Sequence, residues 1–108
     1  MIYLHNPRCS KSRQGLALLE AAGKDITIRA YLDKPLNEQE INALLTKLNK
    51  SPIDIIRVKE AKALGVNLLA DDAKLIMQLV KNPQLLERPI LIKERSAIVG
   101  RPPEDLLK

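Results

Sequence analysis

The first 32 residues carry strand, helix and strand signals in that order, and this order constrains the fold more than any other feature. Residues 2–5 form a short β-branched and aromatic run typical of a strand, and residues 26–32 alternate as a second strand. Between them, residues 10–22 have apolar positions at helical spacing and a serine, Ser10 or Ser12, able to cap the helix. Strand, helix and strand in so short a stretch predict a parallel βαβ unit.

The middle of the chain carries helix signals only, and its end carries two short apolar runs. We expect helices after Asn37, from Ser51-Pro52 through Arg57, and from Asp71 or Asp72 to Asn82-Pro83, then a hairpin of strands 90–93 and 96–99 and a helix over 103–108. The order βαβ, helices, ββα is thioredoxin-like with a helical insertion at about 36–84. Periodicity alone allows an α/β or an α+β fold, and we predict one α/β domain, residues 1–108, with a mixed four-stranded sheet.

Composition narrows the possible functions. With two Tyr and neither Phe nor Trp, the chain has no base-stacking platform, and although its net charge is +5, its Lys residues are scattered. We therefore expect no nucleic-acid partner. No apolar run approaches the roughly 20 residues that span a bilayer, and the N-terminus lacks signal-peptide features, so we expect a cytoplasmic protein with no membrane partner. No exposed apolar stripe is left over, so we expect a monomer. One Cys and one His exclude an internal disulfide and a structural zinc site.

The single cysteine, Cys9, lies just after the first strand and just before the first helix. A helix N-terminus favours an anion there, and Arg8, Lys11 and His5 are close enough in sequence to lower the pKa of the thiol further. The thiolate is the nucleophilic form. The alternatives are an inert buried cysteine and a histidine that only packs or lies on the surface.

Three arginines, Arg57, Arg88 and Arg101, fall at predicted element boundaries. Pro89 precedes the third strand, where thioredoxin-like folds carry a cis-proline that faces the active cysteine. We therefore expect the Arg88-Pro89 bond to be cis and Arg88 to point at Cys9. For any one arginine, a solvated surface position is the alternative.

These residues resemble a known family. The segment Asn6-Pro7-Arg8-Cys9-Ser10-Lys11-Ser12-Arg13 resembles the active-site loop of the glutaredoxin-linked arsenate reductases, Asn-Pro-x-Cys-x-x-Ser-Arg. Residues 55–60, 87–90 and 100–104 are similar to the three segments in which that family carries its arginines. The resemblance runs in order over nearly the whole chain.

The resemblance implies a chemistry and a role for each matched residue. Cys9 would attack arsenate to form a covalent thiol–arsenate adduct, and glutathione, with glutaredoxin, would resolve it to arsenite. Arg57, Arg88 and Arg101 would bind the oxyanion, with no tightly bound cofactor. A supporting set would hold the thiolate or its loop: His5, Asn6, Ser12 and Arg13.

Ser12 stands three residues after Cys9, where a second cysteine would make a disulfide switch. Related redox-controlled regulators that bind RNA polymerase share the fold, and many carry that Cys-x-x-Cys pair. Because Cys9 has no internal partner, a resolving thiol must come from outside. Two alternatives stay open: a polymerase-binding regulator, and a thiol oxidoreductase with another substrate.

Overall fold

The computed structural model describes residues Met1–Lys108. The strands are β1 (Ile2–Leu4), β2 (Thr27–Arg29), β3 (Ile90–Ile92) and β4 (Ala97–Val99). The α-helices are α1 (Ser10–Ala21), α2 (Glu38–Leu48), α3 (Val58–Ala63) and α4 (Asp72–Lys81), and three short 3-10 helices span Pro52–Ile55, Pro83–Leu85 and Pro103–Leu107. None of the helices has the length and apolar character that a bilayer-spanning helix needs.

The four strands form one mixed sheet in the order β2-β1-β3-β4. β1 runs parallel to β2 and antiparallel to β3, and β3 and β4 form an antiparallel hairpin. In the centre of this register, Tyr3 lies between Ile28 and Leu91. The predicted βαβ unit and mixed four-stranded sheet are confirmed.

One compact unit comprises Met1–Lys34 and Arg88–Lys108, and it contains the sheet, α1 and the last 3-10 helix. Its core is aliphatic apart from one tyrosine, and the buried cluster consists of Tyr3, Leu19, Leu91 and Leu106. α1 packs closely against the Pro103–Leu107 helix. Gly15 of α1 lies close to Leu106 and to Pro89, the residue just before β3.

The other compact unit is Pro35–Glu87, whose regular elements are all helices and which also has one isolated bridge between Ile56 and Leu86. α2 and α4 pack together through a set of buried aliphatic side chains: Ile41, Leu44, Leu45, Leu75, Ile76 and Leu79. Asn37 caps α2 in a reciprocal capping box with Glu40, as the sequence pattern predicts.

The prediction of a helix from Ser51-Pro52 through Arg57 was wrong. The chain forms a 3-10 helix only over Pro52–Ile55, because Ile56 then pairs with Leu86 in a bridge. The Arg57 N–H donates to the Leu85 carbonyl at 2.7 Å, and Arg57 becomes the N-cap of α3. Arg57 therefore stands before a helix that the sequence pattern missed.

Two other predicted elements are shorter or tighter than expected. The second strand covers Thr27–Arg29 rather than 26–32, because the N–H groups of Asp33 and Lys34 both donate to the Ala30 carbonyl and turn the chain. The last helix is a 3-10 helix over Pro103–Leu107, since so few residues favour the tighter winding.

Candidate active site

Cys9 is the N-cap of α1. Its N–H donates to the Asn6 carbonyl at 3.0 Å, and its own carbonyl accepts the first helical hydrogen bond, from the Arg13 N–H at 3.0 Å. The expected caps, Ser10 and Ser12, lie one and three residues inside the helix instead. The half-buried Cys9 sulfur therefore takes the position from which an N-cap side chain meets the N–H groups of the first turn.

Burial raises the pKa of the Cys9 thiol, but other groups outweigh it, and the pKa is lowered overall. In order of size, the lowering comes from the Ser12 N–H, a hydrogen bond from the Arg88 side chain, the Lys11 N–H and the charge of Arg88. Helix N–H groups and one guanidinium thus stabilise the thiolate. The basic side chains of Arg8 and Lys11, which were expected to help, are exposed.

His5 contacts Ser12 rather than the thiol. The Ser12 hydroxyl is fully buried; its oxygen accepts the Asn6 N–H at 3.0 Å and lies 2.7 Å from His5 Nδ1. Burial, and after it the charge of Arg13, lowers the pKa of His5. The lowered pKa favours the neutral ring, so His5 supports the loop through its contact with Ser12 without lending a positive charge to Cys9.

Further hydrogen bonds fix the loop before Cys9. The buried Asn6 side chain accepts the Arg8 N–H at 3.0 Å, and Arg13 Nη1 donates to the Pro7 carbonyl at 2.8 Å. The Tyr3 hydroxyl donates to the Ser12 carbonyl at 2.6 Å, and burial raises the pKa of Tyr3 to about 12. Sequence reasoning missed Tyr3; its only signal is its place in β1, two residues before His5.

Arg88 and Arg101 lie close together in the same compact unit as Cys9. The Arg88-Pro89 bond is cis, as expected, and the Arg101-Pro102 bond is also cis, which was not expected. Arg101 Nε donates to the Arg88 carbonyl at 2.9 Å, while the Arg88 side chain acts on the Cys9 sulfur. Arg88 is thus the arginine that meets the thiol directly.

Arg57 belongs to the other compact unit, where two carboxylates contact it. Its Nη2 lies 3.0 Å from Glu60 Oε1, and its Nη1 lies 3.4 Å from Glu87 Oε1. Its Nε is buried without a hydrogen-bond partner. Sequence reasoning gave no role to either glutamate, and the convergence of Arg57 with the other two arginines stays a prediction.

The βαβ–ββ sheet, the cysteine at the start of α1 and the cis-proline before β3 define a thioredoxin-like protein. Residues 4–108 match the model of the ArsC family. The chain belongs to the ArsC family.

Some of its relatives are named arsenate reductase, and others are uncharacterized. The chain is 38% identical over 112 residues to an arsenate reductase of Haemophilus influenzae, covering 100% of this chain and 97% of the relative. It is 40% identical over 109 residues to the uncharacterized protein YfgD of Escherichia coli, covering 96% and 91%. The solved structure of a putative arsenate reductase from Yersinia pestis superposes with a TM-score of 0.92 at 35% identity, covering 98% of this chain and 96% of that one.

Proposed function

We propose that this protein reduces arsenate to arsenite with the Cys9 thiolate as its nucleophile. One observation carries the proposal: the only cysteine caps α1 with a lowered thiol pKa, and the side chain of Arg88 contributes to that lowering. Membership of the ArsC family and relatives named arsenate reductase support arsenate as the oxyanion.

In the first step the Cys9 sulfur attacks arsenic. An S–As bond forms, an As–O bond breaks, and the departing oxygen takes up protons and leaves as water, with no change in oxidation state. Thiolate and arsenate are both anions, so Coulomb repulsion opposes their approach. A guanidinium offsets that repulsion because it stays charged at any working pH and binds tetrahedral oxyanions through paired N–H groups.

The reducing electrons come from outside the chain, since Cys9 has no second cysteine to pair with. Two molecules of glutathione supply two electrons, arsenic(V) becomes arsenic(III), and the two sulfurs end in one glutathione disulfide. Per turnover, arsenate and two glutathiones give arsenite, glutathione disulfide and water, and Cys9 returns as a thiolate. Glutaredoxin assists the release of arsenite.

The test is arsenate-dependent oxidation of NADPH coupled through glutathione reductase, with glutathione and glutaredoxin present. Cys9→Ser should abolish turnover. Losing one donor that stabilises transition-state charge costs about 10²–10³ in rate, so we expect losses of that order in Arg88→Ala and Arg101→Ala. Arg88→Lys should also lose rate, because lysine keeps the charge but not the planar fork.

Arg95→Ala is the matched control, since Arg95 is exposed in the β3–β4 turn. Full activity in all three arginine variants, Arg57→Ala included, would remove the arginines from the mechanism. If the wild-type protein were silent with arsenate while Cys9 still reacted with glutathione, the substrate in this proposal would be wrong.

A further inference from the structure

A small cavity lies beside the loop that precedes Cys9. It has a volume of about 220 Å³; the loop residues His5 to Arg8 form one wall, and Ala30, Leu32 and Asp33, which follow β2, form the other. We call it the loop cavity. It lies next to the nucleophile in the chain, but Cys9 itself does not line it.

Both walls are held in place by hydrogen bonds. The His5 N–H donates to the Arg29 carbonyl at 3.0 Å and joins the loop to β2. Beyond β2, the Asp33 N–H donates to the Ala30 carbonyl at 3.0 Å, and Arg29 Nε donates to the Lys34 carbonyl at 3.0 Å. The loop cavity is therefore preformed, and a ligand that enters it need not order either wall.

The loop cavity carries one charge of each sign. The side chains of Arg8 and Asp33 are exposed, and neither forms an ion pair or hydrogen bond within the molecule. The lining also includes the apolar residues Ala30 and Leu32. A guanidinium and a carboxylate that line one small, partly apolar cavity suit a zwitterion. They do not suit a bare oxyanion, which Asp33 would repel.

Glutathione has the matching chemistry. Its γ-glutamyl end bears an ammonium and a carboxylate on one carbon, and its thiol lies further along the molecule. Arg8, which lines the loop cavity, directly precedes Cys9 in the chain, so a ligand held by Arg8 is bound beside the loop that carries the thiol. We propose that the loop cavity binds the γ-glutamyl end of glutathione, with Asp33 contacting the ammonium and Arg8 the carboxylate. The proposal rests on the proposed function only in taking glutathione as the reductant.

The test contains no arsenate. Cys9 is first converted to a mixed disulfide with thionitrobenzoate, and glutathione or 2-mercaptoethanol is then added. The incoming thiolate attacks the Cys9 sulfur, a new S–S bond forms, and thionitrobenzoate leaves with the electron pair of the broken bond. Its absorbance gives the rate, and the mass of the protein confirms the new adduct.

With glutathione the rate should saturate, and S-methylglutathione, which has no free thiol, should inhibit it. With 2-mercaptoethanol the rate should rise linearly and S-methylglutathione should have no effect. Asp33→Asn and Arg8→Gln should each raise the half-saturating glutathione concentration about 3- to 10-fold, the loss expected for one partly screened charged contact. Neither variant should change the 2-mercaptoethanol rate.

Asp25→Asn and Arg95→Gln are the matched controls, because both residues are exposed in the same unit and neither lines the loop cavity. A linear glutathione dependence in the wild-type protein would overturn the proposal. The proposal would also be overturned if the variants slowed the reactions with glutathione and with 2-mercaptoethanol equally, since that result means altered Cys9 reactivity rather than lost glutathione binding. A protein inactive with arsenate but saturable by glutathione would retain this inference and lose the proposed function.

Discussion

Replacing Gly100 with alanine adds one methyl group where the C-terminal 3-10 helix packs against the segment that carries Arg88 and Arg101. Gly100 is buried, and its N–H donates to the Pro89 carbonyl at 2.8 Å. A Cβ at this position would lie 2.7 Å from Leu106 Cγ and 2.9 Å from both Leu106 Cδ1 and Pro89 Cγ. Favourable carbon contacts begin at about 3.5 Å, so all three contacts overlap.

The neighbours have little room to move. Leu106 is 1% exposed, and its Cδ1 already lies 2.6 Å from where a Cβ on Gly15 would stand. Pro89 is held by the Gly100 hydrogen bond just before β3. Inserting a methyl group into a well-packed core costs about 1–3 kcal/mol, and these constraints place Gly100→Ala at about 2 kcal/mol or more.

Urea unfolding followed by far-ultraviolet circular dichroism measures the cost, and a cycle with Leu106→Ala identifies its cause. Leu106→Ala alone should cost about 2–5 kcal/mol. The double variant should be more stable than the sum by at least about 1 kcal/mol, because the new methyl group occupies part of the vacated space. In the background of Leu107→Ala, which alters an exposed neighbour, the Gly100→Ala cost should not change. Additivity with Leu106→Ala within about 0.5 kcal/mol would refute the packing argument.

Three other outcomes follow from the site and its caps. Arg88→Gln should raise the pKa of Cys9, read from thiolate absorbance against pH; an unchanged midpoint would contradict the contact. The pKa of His5 is lowered in the folded state, so His5 binds a proton more readily in the unfolded chain. The free energy of unfolding of the wild-type protein should therefore fall as the pH drops below about 6.5. In urea titrations His5→Asn should lose that dependence, and an identical slope would exclude it. Asn37→Ala should cost about 1 kcal/mol in urea unfolding, whereas the exposed Gln39→Ala should cost little.

The elements that the sequence predicted best are those whose signals are local. The βαβ unit, the Asn37 capping box and the β3–β4 hairpin each depend on periodicity or on a cap within a few residues. The helix wrongly extended to Arg57 failed because the Ile56–Leu86 bridge joins residues 30 positions apart, which no local pattern records. The Tyr3 hydrogen bond to the Ser12 carbonyl was missed for the same reason.

Among the site residues too, features that depend on neighbouring residues were predictable and features that depend on distant contacts were not. The place of Cys9 at a strand–helix junction was readable, because it depends on two adjacent elements. The direction of the His5 pKa shift was not predictable from the sequence. That pKa is lowered by burial and then by the charge of Arg13, and burial is a property of the packed unit. The sequence therefore predicted which residues lie near the Cys9 thiol better than it predicted which of them stabilise the thiolate with a positive charge.

The sequence also did not predict the contacts of Arg57, one of the three arginines expected to bind the oxyanion. Its guanidinium lies 3.0 Å from Glu60 and 3.4 Å from Glu87, so an oxyanion that binds Arg57 must replace or share those contacts. Truncating Arg57 would also leave two partly buried carboxylates without this partner, and the measured loss would include that cost. Arg88 acts on the thiol directly, and for it the lysine variant separates planar geometry from charge. The kinetics of Arg88→Lys therefore test oxyanion chemistry more cleanly than those of Arg57→Ala.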